Sequence, residues 1–389
     1  MAIPHQGGKH GSSEQPTAGR ERHAVLILTA WGQPAIPPAE CVFRANLART
    51  GAYPGAGPSF ITDTVIKFTK PGDSAFGIAT CSPAIAGGVA YFGSLDSNYY
   101  AVDLKSGREL WHFKTSNGIF DGSPTVAGDR VYLPGPDKAV HALDRMTGEE
   151  KQHFAAGDIV GWAAAVLDGK LYYGSDDGYL YAYDIVADTE LWKYKAGHWI
   201  GSPAIADATL YFGSSNKNFY ALELATGKLK WKTGVGGPIE TAPAVSDGRV
   251  FFGDDGGWIY GSDAATGKKL WSFKAGKQGP ANSPAVDRGV VYCTARDGGL
   301  HAVDAVTGTE RWAMETGHAY RPGAWSAPSV AGGIVYFGSN DSCLHAVDAA
   351  TGQEKWRYRA GFSVYSTPAV VDGVVYFGTM RPGALVGLR

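Results

Sequence analysis

The chain has 389 residues, 44% of them hydrophobic and 19% charged, with 54 glycines, 11 tryptophans and 20 tyrosines. A formal net charge of −2 with no basic runs excludes the electrostatic footprint of a nucleic-acid binder. No stretch reaches the roughly 20 apolar residues that carry a helix across a membrane, and the wealth of turn formers and strand-favouring aromatics points to an all-β protein.

Met1 to Arg22 is polar and glycine-containing and reads as disordered. The run Ala24 to Trp31 follows Arg20 and Arg22 and is either the short apolar stretch of a late signal sequence or part of a non-native or disordered leader. Pro38-Ala39-Glu40-Cys41 is a poor lipoprotein cleavage site. Residues 1–60 are therefore expected to be a leader or disordered segment, and residues 61–389 the folded domain.

From Ser82 onward one unit of about forty residues recurs almost eight times. Its opening prolines are Pro83, Pro124, Pro203, Pro243, Pro284, Pro328 and Pro368, with Ala164 in the third copy. The third copy shows the composition: strand-like Val166-Leu167, an Asp168-Gly169 turn, Leu171 to Gly174, an Asp176-Asp177-Gly178 turn, Tyr179 to Asp184, and Glu190 to Tyr194. Four short antiparallel strands per unit, repeated radially, make a β-propeller blade.

Recurrent residues serve that architecture. Asp103, Asp144, Asp184, Asp263, Asp304 and Asp348 close third strands, and Ser-Gly or Thr-Gly follows in five of those copies, which suits a turn with glycine at positive φ better than a set of acids or metal ligands. Trp111, Trp192, Trp231, Trp271, Trp312 and Trp356 mark fourth strands, Gln152 replacing one, and are expected to pack between blades rather than stack on sugars. His141, His301 and His345 share a position with Tyr100, Tyr181, Tyr220 and Tyr260, which favours packed aromatics over ligands. Four cysteines show no CxxC or metal-ligand spacing, and Cys293 stands where other copies have Phe92, Phe212, Phe252, Phe337 and Phe377, a small buried hydrophobe.

The eighth copy ends after its third strand at Leu385 to Arg389, and Val65 to Thr69 matches the missing fourth strand with isoleucine for tryptophan. Closing the last blade with this N-terminal strand leaves no open edge. The expected fold is an all-β, eight-bladed propeller of four-stranded blades.

The repeat stops repeating where each copy enters its first strand. One or two positions before the repeat serine stand Thr80-Cys81, Asp121-Gly122, Gly161-Trp162, Ile200-Gly201, Glu240-Thr241, Ala281-Asn282, Trp325-Ser326 and Tyr365-Ser366. The longest link adds His318, Tyr320 and Arg321. The expected ligand site is the channel rim carrying Asp121, Trp162, Glu240, Asn282, Arg321, Trp325 and Tyr365, on the varied loop face opposite the Thr-Gly turns.

Segments such as Ser202-Pro203-Ala204, Val335 to Ser339 and Leu344 to Gly352 resemble the PQQ-type repeat of quinoprotein-like propellers with their tryptophan-docking motif, and Phe43 to Gly51 resembles the lead-in before their first blade. BamB-like members of this group present the varied face to protein partners, and the resemblance implies a periplasmic or secreted protein. PQQ-dependent dehydrogenases of the group hold PQQ beside calcium with Glu, Asn and Asp ligands over a tryptophan, which Asp121, Glu240 and Asn282 with Trp162 approximate. The chain lacks their adjacent Cys-Cys pair and their long roofing insertions. The expected function is thus a binding or scaffold module for a protein partner or small molecule, with a PQQ- and calcium-dependent dehydrogenase as the alternative. No lipase-type, zinc-helix or dinucleotide-binding motif suggests other chemistry.

Overall fold

Each repeat folds as a meander because turn residues separate its short apolar runs. Val89–Gly93 and Asn98–Asp103, for example, are almost wholly buried, while Glu109–Lys114 buries little beyond Trp111. The computed structural model describes residues 44–69, 81–116, 122–276, 282–295, 299–316, 326–380 and 383–389. The described residues all belong to one compact unit, Ile36–Arg389.

Among them are eight blades of four antiparallel strands, spanning residues 84–114, 125–155, 165–195, 204–234, 244–274, 285–315, 329–359 and 369–388 with Thr64–Thr69. The inner strands, such as Ala204–Ala206, face the channel, and the outer strands face solvent on one side. Apolar layers fill the space between neighbouring blades.

The N-terminal strand closes the ring as its sequence suggests. Thr64–Thr69 pairs antiparallel with Gly383–Leu388, setting Phe68 opposite Leu385. Ile66 and Phe68 are buried against blade 1, where the Phe68 ring lies 6.1 Å from both Phe92 and Tyr100. At the seam the Asp63 amide donates to the Arg389 carbonyl at 3.0 Å, and the Arg389 amide returns the bond to the Asp63 carbonyl at 3.0 Å.

The indole packing has a partner in the next blade. Trp111 Nε1 donates to the Arg145 carbonyl at 3.0 Å, and a Cβ added at Gly148 would lie 2.6 Å from the Trp111 ring. Trp192, Trp231, Trp271 and Trp312 repeat both relations with Gly227, Gly267, Gly308 and Gly352. The turn glycine is therefore fixed twice, by a φ near +70° and by the ring beneath it. Gly107 is the internal control: its preceding blade carries Ile66, and a Cβ there would meet nothing within 4 Å. Where Gln152 replaces tryptophan, its amide donates to the Ile185 carbonyl at 3.0 Å, and that turn has no Thr-Gly.

Candidate functional site

The channel is occupied by the chain itself. Arg44 to Tyr53 runs along the inner strands of successive blades: the amides of Ile205, Val245, Val286 and Val330 donate in turn to the carbonyls of Leu47, Ala48, Thr50 and Gly51 at 2.6–2.9 Å. Ala52–Tyr53 then pairs parallel with the inner strand of blade 7. The expected leader thus contributes its residues from Arg44 onward to the ring's interior, and residues 1–43 lie outside the described ones.

Two arginines anchor this plug, both essentially inaccessible to solvent. Arg44 donates to the carbonyls of Ser283 (2.8 Å) and Pro284, while Arg49 donates to those of Pro203, Ala163 (3.1 Å) and Ala164 (3.1 Å). Burial pushes both guanidiniums down to about 9, and for Arg49 the charge of Arg44 adds to it, so both remain positive at neutral pH. A planar fork bridging several carbonyls is a task that guanidinium geometry suits. In the sequence, two arginines five residues apart beside Gly51 are the only signal of these roles.

Trp162, Glu240, Asn282 and Tyr365 stand, half-buried, where the inner strands of blades 3, 5, 6 and 8 begin. Asp121, Arg321 and Trp325 lie outside the described residues. Part of the irregular rim proves structural. The hydroxyl of Thr241 donates to the Gly253 carbonyl at 2.9 Å and accepts from its amide at 3.1 Å. Ser326 with Gly338, Ser366 with Gly378 and Cys81 with Gly93 form the same reciprocal pair. Asn282 follows suit, donating its amide to Thr294 Oγ1 at 2.9 Å. Five residues of four chemical kinds at this position thus tie the inner strand to the end of the second.

The varied face also displays apolar side chains in the links and hairpins. Trp199 is 51% and Phe362 47% exposed, with Ile159 and Trp258 beside other blades. Lys274 Nζ lies 5.3 Å from the Trp258 ring centre. The opposite face holds a cavity of about 520 Å³ between blades 6 and 7, where Arg311 is paired with Asp304 (2.7 Å) and Lys355 with Asp348 (3.2 Å).

Two third-strand histidines, His141 and His345, are held between carboxylates. His141 reaches Asp137 Oδ1 at 3.0 Å and Glu150 Oε1 at 2.8 Å, and His345 reaches Asp341 Oδ2 at 2.9 Å and Glu354 Oε1 at 2.7 Å. Tyr100 and Tyr181 donate to Asp96 and Asp177 at the same place, so tyrosine and histidine answer one acid four residues earlier.

Eight such blades around a self-plugged channel define a propeller of the PQQ-like repeat class. The chain belongs to the family described as outer membrane protein assembly factor BamB, whose model matches residues 70–159, 151–242, 176–315 and 255–389. No curated protein matches it. Among solved structures it is similar to quinohemoprotein alcohol dehydrogenase from Comamonas testosteroni, at 16% identity over 90% of this chain and 80% of that one, TM-score 0.73. BamB from Moraxella catarrhalis aligns at 16% identity over 85% and 100%, TM-score 0.66. The computationally designed Ika8 protein aligns at 19% over 84% and 99%, TM-score 0.73. At these identities the likeness establishes the fold.

Of the residues expected to hold PQQ with calcium, Trp162, Glu240 and Asn282 are described and Asp121 is not. Among the described residues, acid, cysteine and histidine ligands gather in a group of three at Asp341, Cys343 and His345, a group that excludes Glu240. The Asn282 amide nitrogen donates to Thr294, which orients the side chain, and guanidiniums bond the carbonyls just after Trp162 and Asn282. No described helix is long and apolar enough to cross a membrane.

Proposed function

We propose that the protein is a binding or scaffold propeller that holds a protein partner on its varied loop face, outside the cytoplasm. The observation that carries this reading is the plug: Arg44 to Tyr53 lies along the inner strands of blades 4 to 7, inside the ring, which leaves the outer loops as the variable surface. Exposed Trp199, Trp258, Ile159 and Phe362 supply aromatic and aliphatic anchors of the kind that dominate interfaces. The rim proposed to share in that binding comprises Asp121, Trp162, Glu240, Asn282, Arg321, Trp325 and Tyr365, of which Trp162, Glu240, Asn282 and Tyr365 stand where inner strands begin. The family's description as an assembly factor agrees with partner binding and with a periplasmic or secreted place of action.

Photo-crosslinking residues placed at Trp199 and at Val306, on opposite faces, test the assignment in the producing cell. A discrete adduct from position 199 but not 306 is expected. The double change Arg321→Ala, Trp325→Ala should weaken that partner's binding by about 2 kcal/mol with the melting temperature unchanged. Adducts from position 306 alone would reverse the functional face. Stoichiometric uptake of PQQ with Ca²⁺ by calorimetry would overturn the binding-module reading.

A further inference from the structure

We infer that the second hairpin of blade 7 is a site for a thiophilic divalent metal of the zinc class, with Asp341, Cys343 and His345 as its ligands. One ligand atom from each lies within 4.8 Å of the others, with Cys343 and His345 buried and Asp341 nearly so. Zinc bonds of about 2.0–2.3 Å place donors about 3.2–3.8 Å apart, so the set closes on an ion through small side-chain rotations. Oxygen, sulfur and nitrogen donors together suit zinc or cobalt better than calcium or magnesium.

The ring contains its own control. Blade 2 carries Asp137, His141 and Glu150 in the geometry of Asp341, His345 and Glu354, but Ala139 stands where blade 7 has Cys343. The acid and imidazole are thus a general feature of the repeat, and the thiol is what blade 7 adds. Glu354, 2.7 Å from His345 Nδ1, is placed to accept the outer N–H of a metal-bound imidazole and so fix the ring with Nε2 toward the ion. The same hairpin holds a buried acceptor, Asn340 Oδ1, without a hydrogen-bond partner.

Charge and protons are consistent with this. Arg359 and Arg357 stand opposite Cys343 and His345 across the strand pair, but Arg357 is paired with Glu354 at 3.3 Å. With Glu354 so engaged, Asp341 and the Cys343 thiolate supply the charge that meets the ion. Binding breaks the Asp341–His345 hydrogen bond and releases the Cys343 thiol proton, along with any proton on His345 Nε2, to solvent. Three protein ligands leave the fourth tetrahedral position to water.

Cobalt(II) added to the metal-free full chain, reduced and at pH 8, reads the thiolate directly through a near-ultraviolet sulfur-to-cobalt charge-transfer band. One equivalent should develop the band, and zinc should abolish it. Cys343→Ala, which gives blade 7 the ligand set of blade 2, should remove the band and weaken zinc at least about 100-fold in chelator competition. Glu354→Gln should keep the band and weaken zinc about 10-fold. Cys343→Ser supplies the same comparison if the alanine variant melts early. Absence of the band in the parent protein, or zinc affinity unchanged in both Cys343 variants, overturns the site.

Discussion

At the scale of single residues, the buried arginines show how the plug is held. Arg49 serves three carbonyls from blades 3 and 4. Lysine keeps the charge but cannot reach them in one plane. Arg49→Lys should therefore destabilise the protein by about 2 kcal/mol, the scale of lost charge-assisted hydrogen bonds at buried acceptors. Urea unfolding checks this, and an unchanged midpoint would mean that water replaces the fork. These arginines were not readable from the repeat, because they precede it and their partners are backbone carbonyls that no side-chain pattern records. Variety at one rim position conceals a shared structural bond. Asn282, Cys81, Thr241, Ser326 and Ser366 differ in kind and looked free to vary, yet each offers a polar atom to the same strand end. Chemical variety at one position does not imply functional variety when several side chains make the same bond.

At the scale of the element, the turn face depends on ionised aspartates. The Ser106 hydroxyl and amide hold the Asp103 carboxyl below its usual range, and those of Thr266 do so for Asp263. The Thr147 amide lowers Asp144, and Arg311 followed by the Thr307 amide lowers Asp304. A carboxyl depressed on folding stabilises the protein above its unfolded value near 4 and loses that contribution as pH falls through the folded value. The melting temperature should accordingly stay level from pH 7 to pH 5 and drop below about pH 4. Scanning calorimetry across that range checks it, and a level profile down to pH 3 would remove the turns from the account. These elements were readable in the sequence because each turn needs a specific acid, hydroxyl and glycine. The indole beneath the glycine was half visible: Gln152 and the missing Thr-Gly of the following turn change together, but only coordinates connect them.

At the scale of the whole molecule, the N-terminal segment has two separable tasks, filling the channel and completing the last blade. A chain beginning at Pro54 loses the plug but keeps Thr64–Thr69 and Pro58, whose carbonyl accepts from Trp356 Nε1 at 3.0 Å. A chain beginning at Ala75 loses both. The first should remain a monomer with a lowered melting temperature, and the second should aggregate through its open edge. Size-exclusion chromatography with thermal melting separates them. If the shorter chain folds with unchanged stability, the closing strand is dispensable.

The seam between Asp63 and Arg389 also sets a schedule. Thr64–Thr69 pairs with Gly383–Leu388, so the ring cannot close until the second of these strands has been made. At about 5–20 residues per second the early strand waits roughly 15 seconds to a minute for its partner. During that interval Ile66, Phe68 and the exposed side of blade 1 must be kept from other chains. A ribosome stalled before Gly383 would leave a ring with an open gap.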